Sequence, residues 1–239
     1  MTDEEQIIII EPAWHVRVWR RYKASWFDRH FRFSTPIAIA GFVFAMFVNF
    51  WAINQATYSA GAAVPDLILS NIPVFEVDGL FIYGTLVFAL YGAFVVFFHP
   101  KRIPFALHAL TLFILIRSAF TLMTHIGAPE IAYVSDFGQT INQAFFGADQ
   151  FFSAHTGMPF LGALVLWHKP ITRYVFLAGS AFFAAVVLLG HIHYTIDVLS
   201  AFFITYGIYH LALWLFPRER ALFLSEEPKG GHRLLHIVV

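Results

Sequence analysis

The residues best able to do chemistry near neutral pH lie in "HIHYTIDV", residues 191 to 198, between two of the most apolar stretches of the chain. His191, His193 and Asp197 sit oddly beside so much hydrocarbon unless they form a buried structural cluster, bind a metal or catalyse a reaction. The four-residue spacing of His193 and Asp197 places both side chains on one face of a helix, about 5–6 Å apart at Cβ. A carboxylate so placed holds one imidazole nitrogen, fixes the tautomer, leaves the other nitrogen free and stabilises an imidazolium. His155 stands in "GADQFFSAHTG", six residues after Asp149; Arg117 interrupts "LTLFILIRSAF", and His125 follows it by eight. Phosphoryl transfer needs this kind of set: cations for the equatorial oxygens, a nucleophile, and an acid for the departing alkoxide.

The elements that position these residues follow from composition. An apolar fraction of 59% and a charged fraction of 13% lie far from soluble averages near ~45–50% and ~25% and belong in lipid. There is no cysteine, hence no disulfide or thiolate chemistry, and the formal net charge of zero argues against a nucleic-acid partner. The start, "MTDEEQIIII", is acidic and only briefly apolar, unlike a cleavable signal, so internal segments are expected to enter the membrane.

Windows of about 20 apolar residues, the length needed to cross the hydrocarbon, occur at 36–57, 79–99, 103–128, 154–168, 172–190 and 194–216, the fourth being short. The joints "HPKRIP", "HKPITR" and "FPRER" are short and basic. Fourteen of the fifteen Lys and Arg residues fall on one side of this arrangement, six of them between Arg17 and Arg32. The opposite loops hold Asp66, Glu76, Asp78, Glu130, Asp136 and Asp149 with no Lys or Arg. Cytoplasmic loops collect the basic residues. The expected fold is therefore all-α: a polytopic membrane protein of six transmembrane helices with both termini cytoplasmic. Residues 1–35 form an interfacial segment, 36–216 a membrane catalytic domain and 217–239 a cytoplasmic tail. The Trp, Phe and Arg mixture of "WHVRVWRRYKASWFDRHFRF" suits a helix lying on the membrane surface.

This topology gathers Arg117, His125, Asp149, His155, His191, His193 and Asp197 in the outer leaflet from separate segments. A mid-membrane arginine costs on the order of 2.5–3.5 kcal/mol on insertion scales and marks a site by default; its structural alternative is an ion pair with Asp197 or Asp149. For Asp149 the alternative is a solvated loop carboxylate, and for His191 a hydrogen bond that positions the start of a helix. His108, His168 and His210 read as hydrogen-bonded core residues.

Three stretches, "HIHYTIDV", "GADQFFSAHT" and "LIRSAFTLMTHIGAP", resemble those of sphingomyelin synthases and related ceramide phosphotransferases, within the lipid phosphate phosphatase superfamily. The similarity runs from about 110 to 215. The second histidine pattern of that family, H-x-H-Y-T-x-D-V, is matched throughout. The first, C-G-D-x-x-F-S-G-H-T, keeps Asp149, Phe152, Ser153, His155 and Thr156 but has Gly147, Ala148 and Ala154 at its other positions. The plain phosphatases of the superfamily carry K-x6-R-P, P-S-G-H and S-R-x5-H-x3-D. Here K-x6-R-P is missing, Phe152 replaces the proline, and Val186 and Val187 replace the Ser-Arg pair.

The resemblance implies a phospholipid headgroup transferase. His193, oriented by Asp197, attacks phosphorus; His155 protonates the departing diacylglycerol oxygen and then deprotonates an acceptor hydroxyl; Arg117 binds the phosphate. Asp149, His191 and His125 stand as supporting residues. It implies no cofactor and no metal. The partners are a phospholipid donor (phosphocholine or phosphoethanolamine headgroup), a lipid alcohol acceptor (ceramide or diacylglycerol) and the membrane, with a homo-oligomer left open. The site would face the periplasm, a lumen or the exterior. A lipid phosphatase or phospholipase C-like hydrolase with the same histidines is the alternative. A metal or haem protein is a weaker match to the twelve histidines, because the single H-x3-H pair, His232 and His236, lies alone in the tail. A channel or transporter would place polar residues at several depths rather than in one leaflet.

Overall fold

The computed structural model describes residues 13–129 and 150–226, and within them the chain is helical, without a strand. The helices are α1 (Trp14–Phe27), α2 (Arg29–Tyr58), α3 (Asp78–Phe97), α4 (Ile103–Met123), α5 (Ala154–Val165), α6 (Pro170–Leu189), α7 (Thr195–Leu215) and α8 (Pro217–Leu224). Single 3-10 turns cover Leu69–Asn71 and Pro100–Arg102. Local chemistry sets many of the starts. The Asp28 carboxylate accepts the His30 and Phe31 amides at 2.9 and 3.2 Å and opens α2. Prolines occupy the first turns of α4, α6 and α8, where the missing N–H has no intrahelical role.

Five of these segments are long and apolar enough to cross a membrane: Arg29–Tyr58, Asp78–Phe97, Pro100–Met123, Pro170–Leu189 and Thr195–Leu215. They coincide with five of the six expected windows. The remaining window, 154–168, contains α5, which has only 12 residues. At 1.5 Å per residue it rises about 18 Å, against roughly 30 Å of hydrocarbon.

Short as it is, α5 is largely buried. It packs against α6 and α7, while α7 also touches α4, α4 lies along α2, and α3 borders α6. Phe113, Phe152, Leu161, Ala201 and Ile208 form part of the central apolar cluster. The approach is close because glycines face bulky partners. A Cβ on Gly157 would come within 2.8 Å of Phe113 and Thr205, and one on Gly179 would run into the Phe88 ring of α3. Phe44, Phe47 and Phe50 of α2, and Phe203 and Trp214 of α7, stay exposed on the outside of the bundle, as suits contact with lipid.

The basic joints meet at one end. The Arg220 guanidinium donates to the Val165 carbonyl at 3.0 Å and lies over the Phe105 and Phe223 rings. Glu219 accepts from Ser34 at 2.9 Å and lies 3.2 Å from His30. Arg21 and Tyr22 of α1 donate to the Phe98 and Phe97 carbonyls. Residues 217–224, the start of the segment expected as a tail, form a helix docked on the bundle, with Phe223 fully buried. The beginning 1–12 and the end 227–239, with His232 and His236, lie outside the described residues.

The α3–α6 contact yields a test. Gly179→Val should lower the thermal midpoint in detergent by an amount equivalent to about 1–3 kcal/mol, the usual scale of core overpacking. Gly207→Ala, where an added Cβ meets nothing within 4 Å, should leave it unchanged or slightly raised.

Candidate active site

At the end opposite the basic joints, the amino termini of α5 and α7 meet. They are joined by a backbone hydrogen bond from the Ser153 N–H to the Asp197 carbonyl at 3.0 Å. This bond unites the two segments that the sequence singled out, 150–156 and 191–198. Gln150 adds a long contact from Nε2 to the Ile192 carbonyl, 3.5 Å. Ser153 caps α5, accepting the Thr156 amide at 3.4 Å, and Phe152 wedges its buried ring against Phe113 and Phe120. Two helix amino termini side by side present the positive ends of their dipoles to one region, which favours an anion there.

Asp197 and His193 form the expected pair, Nδ1 to Oδ2 at 3.3 Å, and both are almost fully buried. Their placement differs from the expected one. His193 is not on the helix: α7 begins at Thr195, and His193 lies in the turn before it. The pair forms because Asp197, in the first turn, reaches back over the helix start, where Oδ2 also accepts the Tyr194 N–H at 3.1 Å. With Nδ1 held by the carboxylate, Nε2 is the nitrogen left to react.

His155, the second residue of α5, lies half-buried with its ring 4.3 Å from the buried ring of Phe81 on α3. It is close enough to His193 and Arg117 to feel both electrostatically. Arg117 is buried inside α4, six residues before the helix ends, and its Nε donates to the Phe152 carbonyl at 3.0 Å. The site is therefore recessed by about 9 Å from the end of α4. The alternative ion pair between Arg117 and Asp197 is not formed, since the Asp197 carboxylate goes to His193 and Tyr194. Asp149 lies outside the described residues.

His191 is buried in this turn, with φ of 51°, and its Nε2 has no hydrogen-bond partner among the described residues. A non-glycine residue in the left-handed region costs on the order of 1–3 kcal/mol, and an unsatisfied buried nitrogen about 1–3 kcal/mol more. Among the described residues its ring makes no helix-start hydrogen bond. Phe151, on the facing segment, is also left-handed, at φ 69°. His125 is exposed; what it contributes is its carbonyl, which accepts from the Gly61 N–H at 2.9 Å. His108 stacks on Phe216 at 4.3 Å, His168 meets Phe223, and His210 lies against Tyr206. Among the described residues no three His, Cys, Asp or Glu side chains gather as a metal ion requires.

Several partners were not singled out by the motifs. Phe81 and the buried Asp78, both from the start of α3, stand at this end of the bundle. The Tyr194 hydroxyl donates to the Gly127 carbonyl at 2.8 Å and accepts the Val64 amide at 3.2 Å. Asp66 clips the outer loop to α7. One carboxylate oxygen accepts the Thr195 amide at 2.7 Å, and the other accepts the Thr195 hydroxyl at 2.7 Å and the Ile68 and Leu69 amides. The only advance signal for Asp66 and Asp78 was an acidic outer loop without a single basic residue.

Partial burial alone would push the Asp66 carboxyl up, but the donors from Leu69, Thr195 and Ile68 together outweigh it and hold the carboxyl below its ordinary range. A depressed folded-state value means that the clip stabilises the fold above the unfolded carboxyl range and that this contribution fades as pH falls through the folded value. Asp66→Asn should therefore lower the thermal midpoint at pH 7, and the gap to wild type should close as acid titration passes through the depressed folded-state value of Asp66, where wild type loses the same charge. A gap that stays constant with pH would contradict the clip.

Compared with known proteins, the chain matches no family model, no curated protein and no solved structure, so its chemistry has to be read from these residues themselves.

Proposed function

We propose that the chain is a phospholipid headgroup transferase, moving phosphocholine or phosphoethanolamine from a glycerophospholipid to ceramide or diacylglycerol. The observation that carries the reading is the buried His193–Asp197 pair, with Nδ1 engaged at 3.3 Å and His155 and Arg117 within electrostatic reach of each other. His193 Nε2 attacks phosphorus, and the phosphorus–oxygen bond to diacylglycerol breaks. His155 gives a proton to the departing oxygen. The headgroup phosphate is left on His193, its charge balanced by Arg117 and the two helix termini. His155 then takes the proton of the acceptor hydroxyl as that oxygen attacks phosphorus, and His193 is released. The partially buried site favours a lipid acceptor over water, which is what separates a transferase from a hydrolase.

In this reading the membrane is crossed six times, with α5 as the fourth crossing. Its Val165 end is bonded to Arg220 at the basic end and its Ala154 end reaches the site, so a short helix suffices where the site is recessed. The basic end faces the cytoplasm by the positive-inside rule, and the site opens on the other side.

The test uses purified protein in lipid, phosphatidylcholine or phosphatidylethanolamine as donor, and ceramide or diacylglycerol as acceptor, with products read by mass spectrometry. Free phosphoester as the sole product with every acceptor would replace the transferase by a hydrolase. His193→Ala, Asp197→Asn and His155→Ala should each reduce turnover by roughly 10⁴–10⁶-fold, the scale seen when one member of such a unit is removed. Wild-type turnover in His193→Ala would end the nucleophile assignment. A donor labelled with phosphorus-32 should leave acid-labile label on wild-type protein and none on His193→Ala.

A further inference from the structure

A cavity of about 220 Å³ lies between the outer loop and the turn that carries the candidate nucleophile, lined by Ala63, Val64, Asp66, Ser70, His191 and Tyr194 among others. It is too small for a lipid body, since sites for drug-sized ligands hold roughly 300–1,000 Å³; its scale is that of a headgroup. Its walls are built in advance. Asp66 is bonded to Thr195, Tyr194 to Gly127 and Val64, and Gly61 and Ala62 to His125 and Gly127. His193 is flanked in the chain by His191 and Tyr194, both part of the wall, which sets the cavity next to the residue that would carry the phosphate.

We infer that this cavity receives the primary ammonium of a phosphoethanolamine headgroup in preference to the trimethylammonium of choline. The inference rests on the transferase reading for its phosphate, and on three observations of its own for the amine. The outer loop of residues 58–78 carries acids and no Lys or Arg, so the local field favours a cation. The wall offers hydrogen-bonding groups, above all the buried His191 Nε2, which makes no hydrogen bond among the described residues, with the Ser70 hydroxyl and the Asp66 carboxylate in the same wall. An ammonium with N–H donors satisfies such groups, whereas a methylated one leaves them unpaired. Quaternary ammonium sites use cages of several aromatic rings, and among the described residues the wall holds no Phe or Trp and a single Tyr, Tyr194. The left-handed backbone of His191, at φ 51°, gains a reason: it holds the imidazole in the wall.

The test separates binding from turnover. Short-chain soluble phosphatidylethanolamine, its mono-, di- and trimethylated forms (the last being phosphatidylcholine) and free ethanolamine are titrated calorimetrically into the detergent-solubilised full chain. Affinity should fall stepwise with methylation, by about tenfold or more across the series, and free ethanolamine should bind more weakly than the lipid. Ser70→Ala, an exposed position that does not threaten folding, and His191→Ala should each shrink that preference severalfold. His191→Asn, which tolerates the left-handed backbone and keeps hydrogen-bonding groups, should retain part of it. Equal affinity for the two end members, a choline preference, an undiminished preference in both alanine variants, or binding of free ethanolamine without discrimination between the lipids would overturn the inference. Selective binding without any headgroup transfer would sink the transferase reading and leave the cavity assignment standing; transfer without selectivity would do the reverse.

Discussion

Asp197 is where the constraints of this molecule converge. A carboxylate inside a membrane helix is tolerable only when its charge is matched. The first turn of α7 matches it with the helix dipole, the Tyr194 amide at 3.1 Å and the His193 imidazole at 3.3 Å. The backbone carbonyl of the same residue accepts from Ser153 at 3.0 Å and so fixes where α5 begins. One residue thereby starts a helix, sets a tautomer and registers a second helix against the first. In the proposed reaction, the position of His155 relative to His193 follows from that register.

The shortness of α5 follows from the same geometry. Arg117 lies inside α4, and the Phe152 carbonyl must come down to its guanidinium, at 3.0 Å. The chain therefore enters the bundle before it becomes helical, and 12 residues are enough to reach Val165 at the basic end. The outer loop, held by Asp66, Tyr194 and Gly61, packs over the turn that precedes α7. A recessed, partly covered site suits chemistry in which the competing nucleophile is water, because exclusion of solvent both strengthens the electrostatics and protects an intermediate. The two left-handed residues, Phe151 and His191, stand on the two facing segments, which is where strained backbone tends to be kept for function.

The other end obeys a different logic. It is held by side chains that reach between elements: Arg220 to Val165, Glu219 to Ser34 and His30, Arg21 and Tyr22 to the end of α3. Arg220 also spreads over two phenylalanine rings, so its apolar stem and flat guanidinium both find partners. The bundle thus has a clamped basic end and a polar, hollowed opposite end, with apolar faces between them.

The long helices were legible because twenty apolar residues in a row leave little choice but a membrane helix, and five of the six windows agree with the structure to within several residues, apart from the longer start of α2 and the earlier end of α4. The histidine–aspartate pair was legible because four-residue spacing is a local property, although the pair bridges a helix start rather than lying along a helix. The segregation of Lys and Arg likewise forecast which joints share an end. Only tertiary structure could decide the rest. Hydrophobicity does not measure depth, so the window 154–168 showed that its segment is short but not that α5, at 12 residues, starts level with the buried Arg117. The contacts of Phe81 with His155, Tyr194 with Gly127 and Asp66 with Thr195 join residues up to 129 positions apart, and nothing in local spacing encodes them. His191 makes the same point: its motif gave its neighbourhood, but its buried nitrogen, left-handed backbone and cavity arise only when the outer loop folds over it.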